Sequence, residues 1–371
     1  MNFGFSEEQE ELRKMVKRFL EEKSPETEVR RLMATAEGYD PAVWSQMANE
    51  LALQGLGIPE EFGGQGYGPV ELYVVFEEMG AALLCSPYFS SVALASNALL
   101  NVGTQENKQA YLPGIASGET IATVALTDDS GDWDLSNTST TATQSGDQWT
   151  VSGVRNYVTD GNVASLILVP AKTAKGLSLF AVDGNASGVT RTALPTMDQT
   201  RKQSRIELNN APAVLIGQDG DALSGLETTL QIAASALAAE QVGGAQRVLT
   251  NAVEYAKERV QFGRPIGSFQ AIKHKCANML LDVESAKSAA YYAAYCAQER
   301  NEDLPVAASL AKSFCSEAFF HCAAENIQIH GGIGFTWEHH AHLYFKRAKS
   351  SELFLGDPAY QRELLADRLG I

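Results

Sequence analysis

Residues 148–183, "QWTVSGVRNYVTDGNVASLILVPAKTAKGLSLFAVD", decide the fold class. Short runs of Val, Ile, Leu, Thr and aromatic residues alternate with Gly, Asp and Asn, the pattern of strands joined by turns. The same texture begins at "TIATVALT" (120–127) and ends at "RKQSRIELNN" (201–210). No helical segment separates these runs. That predicts an antiparallel barrel or sandwich rather than alternating strand–helix units.

Outward from this block the chain turns helical on both sides. On the N-terminal side, Ser6 and Gln9 form a capping-box start for "EEQEELRKMVKRFLEE". Asp40-Pro41 pairs a cap with a proline at the first helical position, opening "AVWSQMANELALQG". "GIPEEFGGQGYGP" reads as a glycine-rich loop, after which Pro69 opens "VELYVVFEEMGAALL". On the C-terminal side, residues 226–263, 268–300 and 305–332 are long apolar-periodic segments with alanine on several faces, which predicts a helical bundle. The expected class is α+β: a helical domain over 1–119, a β domain over 120–217 and a bundle over 218–371.

The 371 residues carry a net charge of −16, which disfavours nucleic-acid binding by bulk electrostatics. A phosphorylated cofactor remains compatible, because it needs only local cations. The five cysteines are widely spaced without a CxxC pair, so free thiols in a reducing compartment are expected. The N-terminal "MNFGFSEEQEELRK" is acidic and lacks a basic region followed by an apolar core, unlike a signal peptide. No apolar run reaches a membrane-spanning length. The expectation is a cytoplasmic protein that meets no membrane.

Three segments have a composition suited to chemistry. "YAKERVQFGRPIGSFQAIKHKCANM" (255–279) places Arg259 beside a sharp turn, where a guanidinium can clamp a diphosphate. A solvated helix end, with Lys257 and Arg259 near the C-terminal dipole, fits the same residues. In "NIQIHGGIGFTWEHHAHLYFKRAK" (326–349), Gly331, Gly332 and Gly334 allow close backbone approach to a ligand, and Gln328 can hydrogen-bond one. His339, His340 and His342 match no common zinc spacing, so a polar loop is expected there and no metal. In the β block, Thr127 and Thr159 each end an apolar strand beside polar turn residues, where hydroxyls and amides can meet the polar edge of a ring.

In this order the segments resemble the acyl-CoA dehydrogenase family. "KERVQFGRPIGSFQAIKHKCANM" is similar to its ER-x-x-FG signature, and "IQIHGGIGFTWEHHAHLYFKRAK" to its Q-x-x-GG-x-G signature. "ALTDDSGDWDL" (125–135) matches the family's LTEP segment loosely, and the likeness includes "FSEEQEELR" and "GIPEEFGGQG". The resemblance implies an N-terminal helical domain, a middle β-barrel and a C-terminal four-helix bundle. It also implies FAD, held between barrel and bundle, in a dimer or tetramer whose subunits share cofactor sites. Leu126, Thr127, Tyr157 and Thr159 then meet the flavin ring, with Tyr157 where a tryptophan is usual. Arg259, Gln261 and Phe262 meet the diphosphate of the neighbouring subunit's FAD, and Gln328 and Gly332 its adenine half. The implied reaction is α,β-desaturation of an acyl-CoA thioester. A carboxylate removes the α proton, the flavin takes the β hydrogen as hydride, and an electron-transfer flavoprotein accepts the electrons.

The chain departs from that pattern where the base belongs. In "KRAKSSELFLGDPAYQR" (346–362), Leu355 stands where the family's glutamate is usual, and leucine accepts no proton. Some relatives carry the base early in the first bundle helix, where this chain has Ala233-Ala234. Two carboxylates are nearby: Asp357, two residues on, and Glu240, seven residues past Ala233 and about 10 Å along a helix. Either is a candidate base. For Glu240, an arginine or amide partner or a polar lining of the acyl pocket are the alternatives. Trp133 and Ala359 also replace usual polar residues. Three readings follow: an active dehydrogenase with a displaced base, a non-catalytic subunit of a hetero-oligomer, or a flavin oxidase or monooxygenase on the same fold.

Overall fold

The computed structural model describes residues 4–371, so the first three residues of the acidic N-terminal stretch lie outside it. The N-terminal helices are α1 (Glu7–Lys23), α2 (Glu26–Met33), α3 (Pro41–Asn49), α4 (Pro69–Ala81), α5 (Asn97–Val102) and α6 (Gln105–Ala116). The strands are β1 (Ala122–Val124), β2 (Thr141–Ser145), β3 (Gln148–Thr159), β4 (Leu166–Lys172), β5 (Leu177–Asp183), β6 (Val189–Ala193) and β7 (Gln203–Ile216). Next come α7 (Leu223–Glu258), a hairpin of β8 (Val260–Gln261) and β9 (Arg264–Pro265), α8 (Gln270–Gln298), α9 (Leu304–His330), α10 (Ala341–Leu353) and α11 (Pro358–Leu369). The chain is α+β, as expected.

The helix starts follow from their caps. Ser6 Oγ accepts from the Gln9 amide at 3.2 Å while Gln9 Oε1 accepts from the Ser6 amide at 2.9 Å. Asp40 Oδ1 accepts from the amides of Ala42 and Val43. Each such cap contributes about 1 kcal/mol. The second expected helix, α3, stops at Asn49, earlier than the sequence pattern suggests, and Ala52 then takes a left-handed φ of 51°.

Packing divides the chain into two compact units, and the N-terminal helices are shared out between them. One unit holds residues 30–68 and 85–233. Its sheet closes on itself: β4 pairs with β2, β2 with β3, β3 with β7, β7 with β5 and β5 with β4. Most pairings are antiparallel, but β1 runs parallel to β4, and β2 meets β4 through one parallel pair. β1 enters from a helix rather than a hairpin, which removes the constraint that makes neighbours antiparallel. β4 and β5 are buried along almost their whole length. Helical elements cover this sheet: Ser91 Oγ, in a π-helical stretch over Phe89–Ser96, donates to the Ala122 carbonyl and accepts from its amide.

Of the described residues, the other unit holds 4–29, 69–84 and 234–371. In it α4 crosses α7 at close range. A Cβ on Gly80 would lie 2.0 Å from the Glu240 carbonyl oxygen, and one on Gly243 would lie 1.8 Å from that of Glu77. Glycine inside a helix costs about 1 kcal/mol relative to alanine, and the close crossing is what requires it here. Tyr344 on α10 and Arg247 on α7 both donate to the Ala81 carbonyl, tying the end of α4 to the bundle. All five cysteines are free, and four are buried. Among the described residues no helix is long and apolar enough to cross a membrane.

Candidate active site

The turn between α10 and α11 carries the position that matters most. Asp357 caps α11 by accepting from the Tyr360 amide at 2.8 Å, and Pro358 occupies the first helical position. Reversal within so few residues puts both Leu355 (φ 60°) and Gly356 (φ 88°) in the left-handed region. A Cβ on Gly356 would meet the Tyr360 ring at 2.2 Å, so glycine is required. Leucine incurs steric strain at this φ, and surrounding bonds hold it there. Leu355 is buried, and its carbonyl accepts from Gln361 Nε2 at 2.6 Å. Gln361 Oε1 in turn accepts from Ser309 Oγ on α9. The side chain at 355 is therefore an apolar group seated in the bundle.

Glu240 and Asp357 have other partners. Glu240 is buried on α7, and its Oε1 accepts from Arg347 Nη1 on α10 at 2.9 Å. This is the arginine-partner alternative weighed from the sequence. Asp357 is exposed and uses Oδ1 for the helix cap. Ala233 and Ala234 are buried. A pocket of about 290 Å³ in this unit, lined in part by Lys17, Ser24, Arg247, Asn251, His340 and Tyr344, includes neither Leu355 nor Glu240.

At the end of β1 in the other unit, Thr127 bridges to Asn156: its Oγ1 donates to the Asn156 carbonyl at 2.6 Å, and its own carbonyl accepts from the Asn156 amide. The β3–β7 register shifts between Arg155 and Val158, a bulge that re-aims side chains. At this bulge Tyr157 takes a φ of 54° and is 56% exposed. Arg155 lies behind it, fully buried, donating to the carbonyls of Leu126 and Pro170. Burial lowers its guanidinium to about 10, opposed by Asp128. Thr159 is buried, and its hydroxyl has no hydrogen-bond partner among the described residues. Such an orphaned hydroxyl suits the polar edge of a ring.

The remaining predicted contacts gather at one end of the bundle. Tyr255, one turn before Arg259 on α7, stacks on His330, the last residue of α9, at 4.2 Å. That contact brings the Arg259–Gly263 hairpin and the Gly331–Gly332 turn to the same end. Arg259, Gln261, Phe262, Gln328 and Gly332 are all exposed, Phe262 at 93%. Arg259 makes no ion pair among the described residues, and a Cβ on Gly332 would meet nothing within 4 Å. An uncommitted guanidinium and an open glycine turn suit a ligand that carries phosphates. His339 stacks on His340 and meets the tilted ring of His330, each at 4.5 Å between centroids. Burial first, then the neighbouring imidazoles, lowers His339 to about 4. No three His, Cys, Asp or Glu among the described residues are placed to hold a metal ion.

Family comparison covers nearly the whole chain. The acyl-CoA dehydrogenase N-terminal domain matches residues 6–119, the middle domain 123–211 and the C-terminal domain 224–370. This chain belongs to the acyl-CoA dehydrogenase family. The family comprises FAD-dependent oxidoreductases, so a flavin is the cofactor expected of a member. Acyl-CoA dehydrogenase IpdE2 of Mycolicibacterium smegmatis is 36% identical, over 96% of this chain and 97% of its own. The solved ChsE4-ChsE5 complex from Mycobacterium tuberculosis contains a chain 30% identical, with a TM-score of 0.91, covering 100% of this chain and 99% of that one. A solved variant of the Tcur3481-Tcur3483 steroid ACAD gives 30% identity and a TM-score of 0.90, covering 98% of each chain.

Within this acyl-CoA dehydrogenase frame, the sequence marked exposed residues such as Arg259 and Tyr157 and buried ones such as Thr159 and Glu240, but not the buried polar groups packed around them. Arg155, Lys312, Arg347 and Gln361 carry the buried polar contacts beneath the site. Arg347 and Gln361 lay inside quoted motifs, but only a three-dimensional contact reveals what each one holds.

Proposed function

We propose that this chain is the base-less subunit of a hetero-oligomeric, FAD-dependent acyl-CoA dehydrogenase. One observation carries the reading: the base position is an apolar side chain, Leu355, while the two nearby carboxylates are committed, Glu240 to Arg347 and Asp357 to a helix cap. A general base needs an accessible lone pair within reach of the proton it takes. Two solved relatives that pair two proteins, ChsE4-ChsE5 and Tcur3481-Tcur3483, support the hetero-oligomer. The second is a steroid ACAD, which supports a bulky acyl-CoA as the substrate of the assembly.

In this reading bound FAD would supply the hydride acceptor for the β hydrogen of the thioester. A catalytic homologue supplies the carboxylate that removes the α proton. Arg259 of this chain pairs with the diphosphate of the partner's FAD. Gln261 and Phe262 line the same hairpin, and Gln328 and Gly332 receive the adenine half. Leu126, Thr127, Tyr157 and Thr159 form a flavin-ring edge of the chain's own. Electrons leave to an electron-transfer flavoprotein, in the cytoplasm.

The test is co-expression with a base-bearing homologue. The reading expects a mixed oligomer whose FAD content and acyl-CoA turnover fall with Arg259→Ala in this chain. It expects no loss of turnover with Asp357→Ala. Substrate-dependent flavin bleaching by this chain alone would favour a displaced base. Rapid reoxidation of its reduced flavin by oxygen would favour an oxidase or monooxygenase.

A further inference from the structure

Lys312 lies on α9 with no exposed surface, a buried cation that the proposed chemistry does not use. Its ammonium has three donors, and three acceptors meet them. Ser316 Oγ is at 2.9 Å, the Gly356 carbonyl at 3.0 Å and the Glu352 carbonyl at 3.1 Å. The two carbonyls bracket the turn that carries Leu355. One side chain therefore grips the last turn of α10 and the residue just past position 355. Ser316 is itself held by Gln241 Nε2 of α7 at 2.9 Å, so the grip is anchored to a second helix.

The surroundings hold no carboxylate bonded to this cation among the described residues. Glu352 of α10 uses Oε2 for Lys349, Asp357 of α11 caps its own helix, and Glu240 of α7 pairs with Arg347. Cys315, on α9 itself, donates to the Ala286 carbonyl of α8. Burial lowers the Lys312 ammonium to about 7, and the nearby carboxylates of Glu352 and Asp357 oppose the shift only in part. A neutral amine keeps two N–H groups for the three acceptors, so one contact is lost when the proton leaves.

We propose that Lys312 is the positioning residue for position 355, and that its protonated form pins both ends of the turn. The pinning stands on geometry alone, and its weight for catalysis rests on the reading of position 355 as the vacated base seat. Protonation of one buried side chain then grades how firmly that seat is held.

Amide hydrogen exchange on the full chain tests this directly. Peptides spanning 350–361 are followed from pH 6 to 9, with the intrinsic rate of an unfolded control divided out. Wild-type protection should fall about tenfold over that range, the loss of one charge-assisted hydrogen bond, while α8 peptides stay level. Lys312→Met should be weakly protected at pH 6 and flat with pH, and Lys312→Gln should behave alike. A merely structural lysine would lower protection without changing the pH profile. Wild-type protection that is flat with pH overturns the proposal, as does a Lys312→Met chain that keeps the wild-type level and slope. The wild-type series alone decides if neither variant folds. No flavin turnover enters the readout, so failure here is distinct from failure of the subunit reading.

Discussion

Glu240 and Arg347 are expected to be a structural pair, and a double-mutant cycle measures that. Their side chains are 6% and 3% exposed and meet at 2.9 Å. Removing one member of such a pair leaves an uncompensated buried charge and costs about 3–5 kcal/mol. Glu240→Gln keeps the shape and removes the charge, so it should sit at about 3 kcal/mol. Arg347→Met should cost a similar amount by stranding the carboxylate. The double variant Glu240→Gln/Arg347→Met removes both charges, and it should cost less than the two single variants together by about 2–3 kcal/mol. The assay is urea unfolding followed by tryptophan fluorescence, with the coupling taken from the four chains. The reasoning fails if Glu240→Gln costs under about 1 kcal/mol. A carboxylate that can lose its charge so cheaply is not held by Arg347 and is available for chemistry.

Other expectations follow from single contacts. Gly243→Ala puts a Cβ 1.8 Å from the Glu77 carbonyl oxygen, so the gain in helix propensity is overwhelmed; chemical unfolding should show a net loss of about 2 kcal/mol. Asp128 accepts from the amides and hydroxyls of both Ser130 and Ser139, and these bonds hold its carboxyl well below the usual range against the opposing effect of burial. A depressed folded pKa contributes stability that is present above the unfolded value, about 3.9, and is lost as pH falls below it. The stability gap between wild type and Asp128→Asn should therefore narrow on acidification from about pH 5 to 3, read by melting temperature at each pH.

The plan of helices, strands and bundle was legible because periodicity and caps are local. Ser6 with Gln9 and Asp40 with Pro41 name their helix starts on their own. β2 and β6 escaped notice because they are largely exposed and polar, with too few apolar residues to mark a buried face. The strand read at "RKQSRIELNN" runs on to Ile216, past Asn209, Asn210 and Pro212, residue types that mark turns in a sequence. At the site, the apolar residue at position 355 was legible from the sequence. The partners were not. Glu240 is separated from Arg347 by 107 residues, and Lys312 from Gly356 by 44, distances that no local pattern spans.

The central claim, that this chain has no base of its own, meets its most direct test in anaerobic flavin reduction. Purified chain reconstituted with FAD is titrated with acyl-CoA thioesters, from butyryl-CoA to a steroid side-chain CoA, while flavin absorbance is followed. The account predicts no substrate-dependent bleaching for wild type, and bleaching for Leu355→Glu with at least one thioester. Wild-type bleaching that Glu240→Gln or Asp357→Ala abolishes would contradict it and assign that carboxylate as the base.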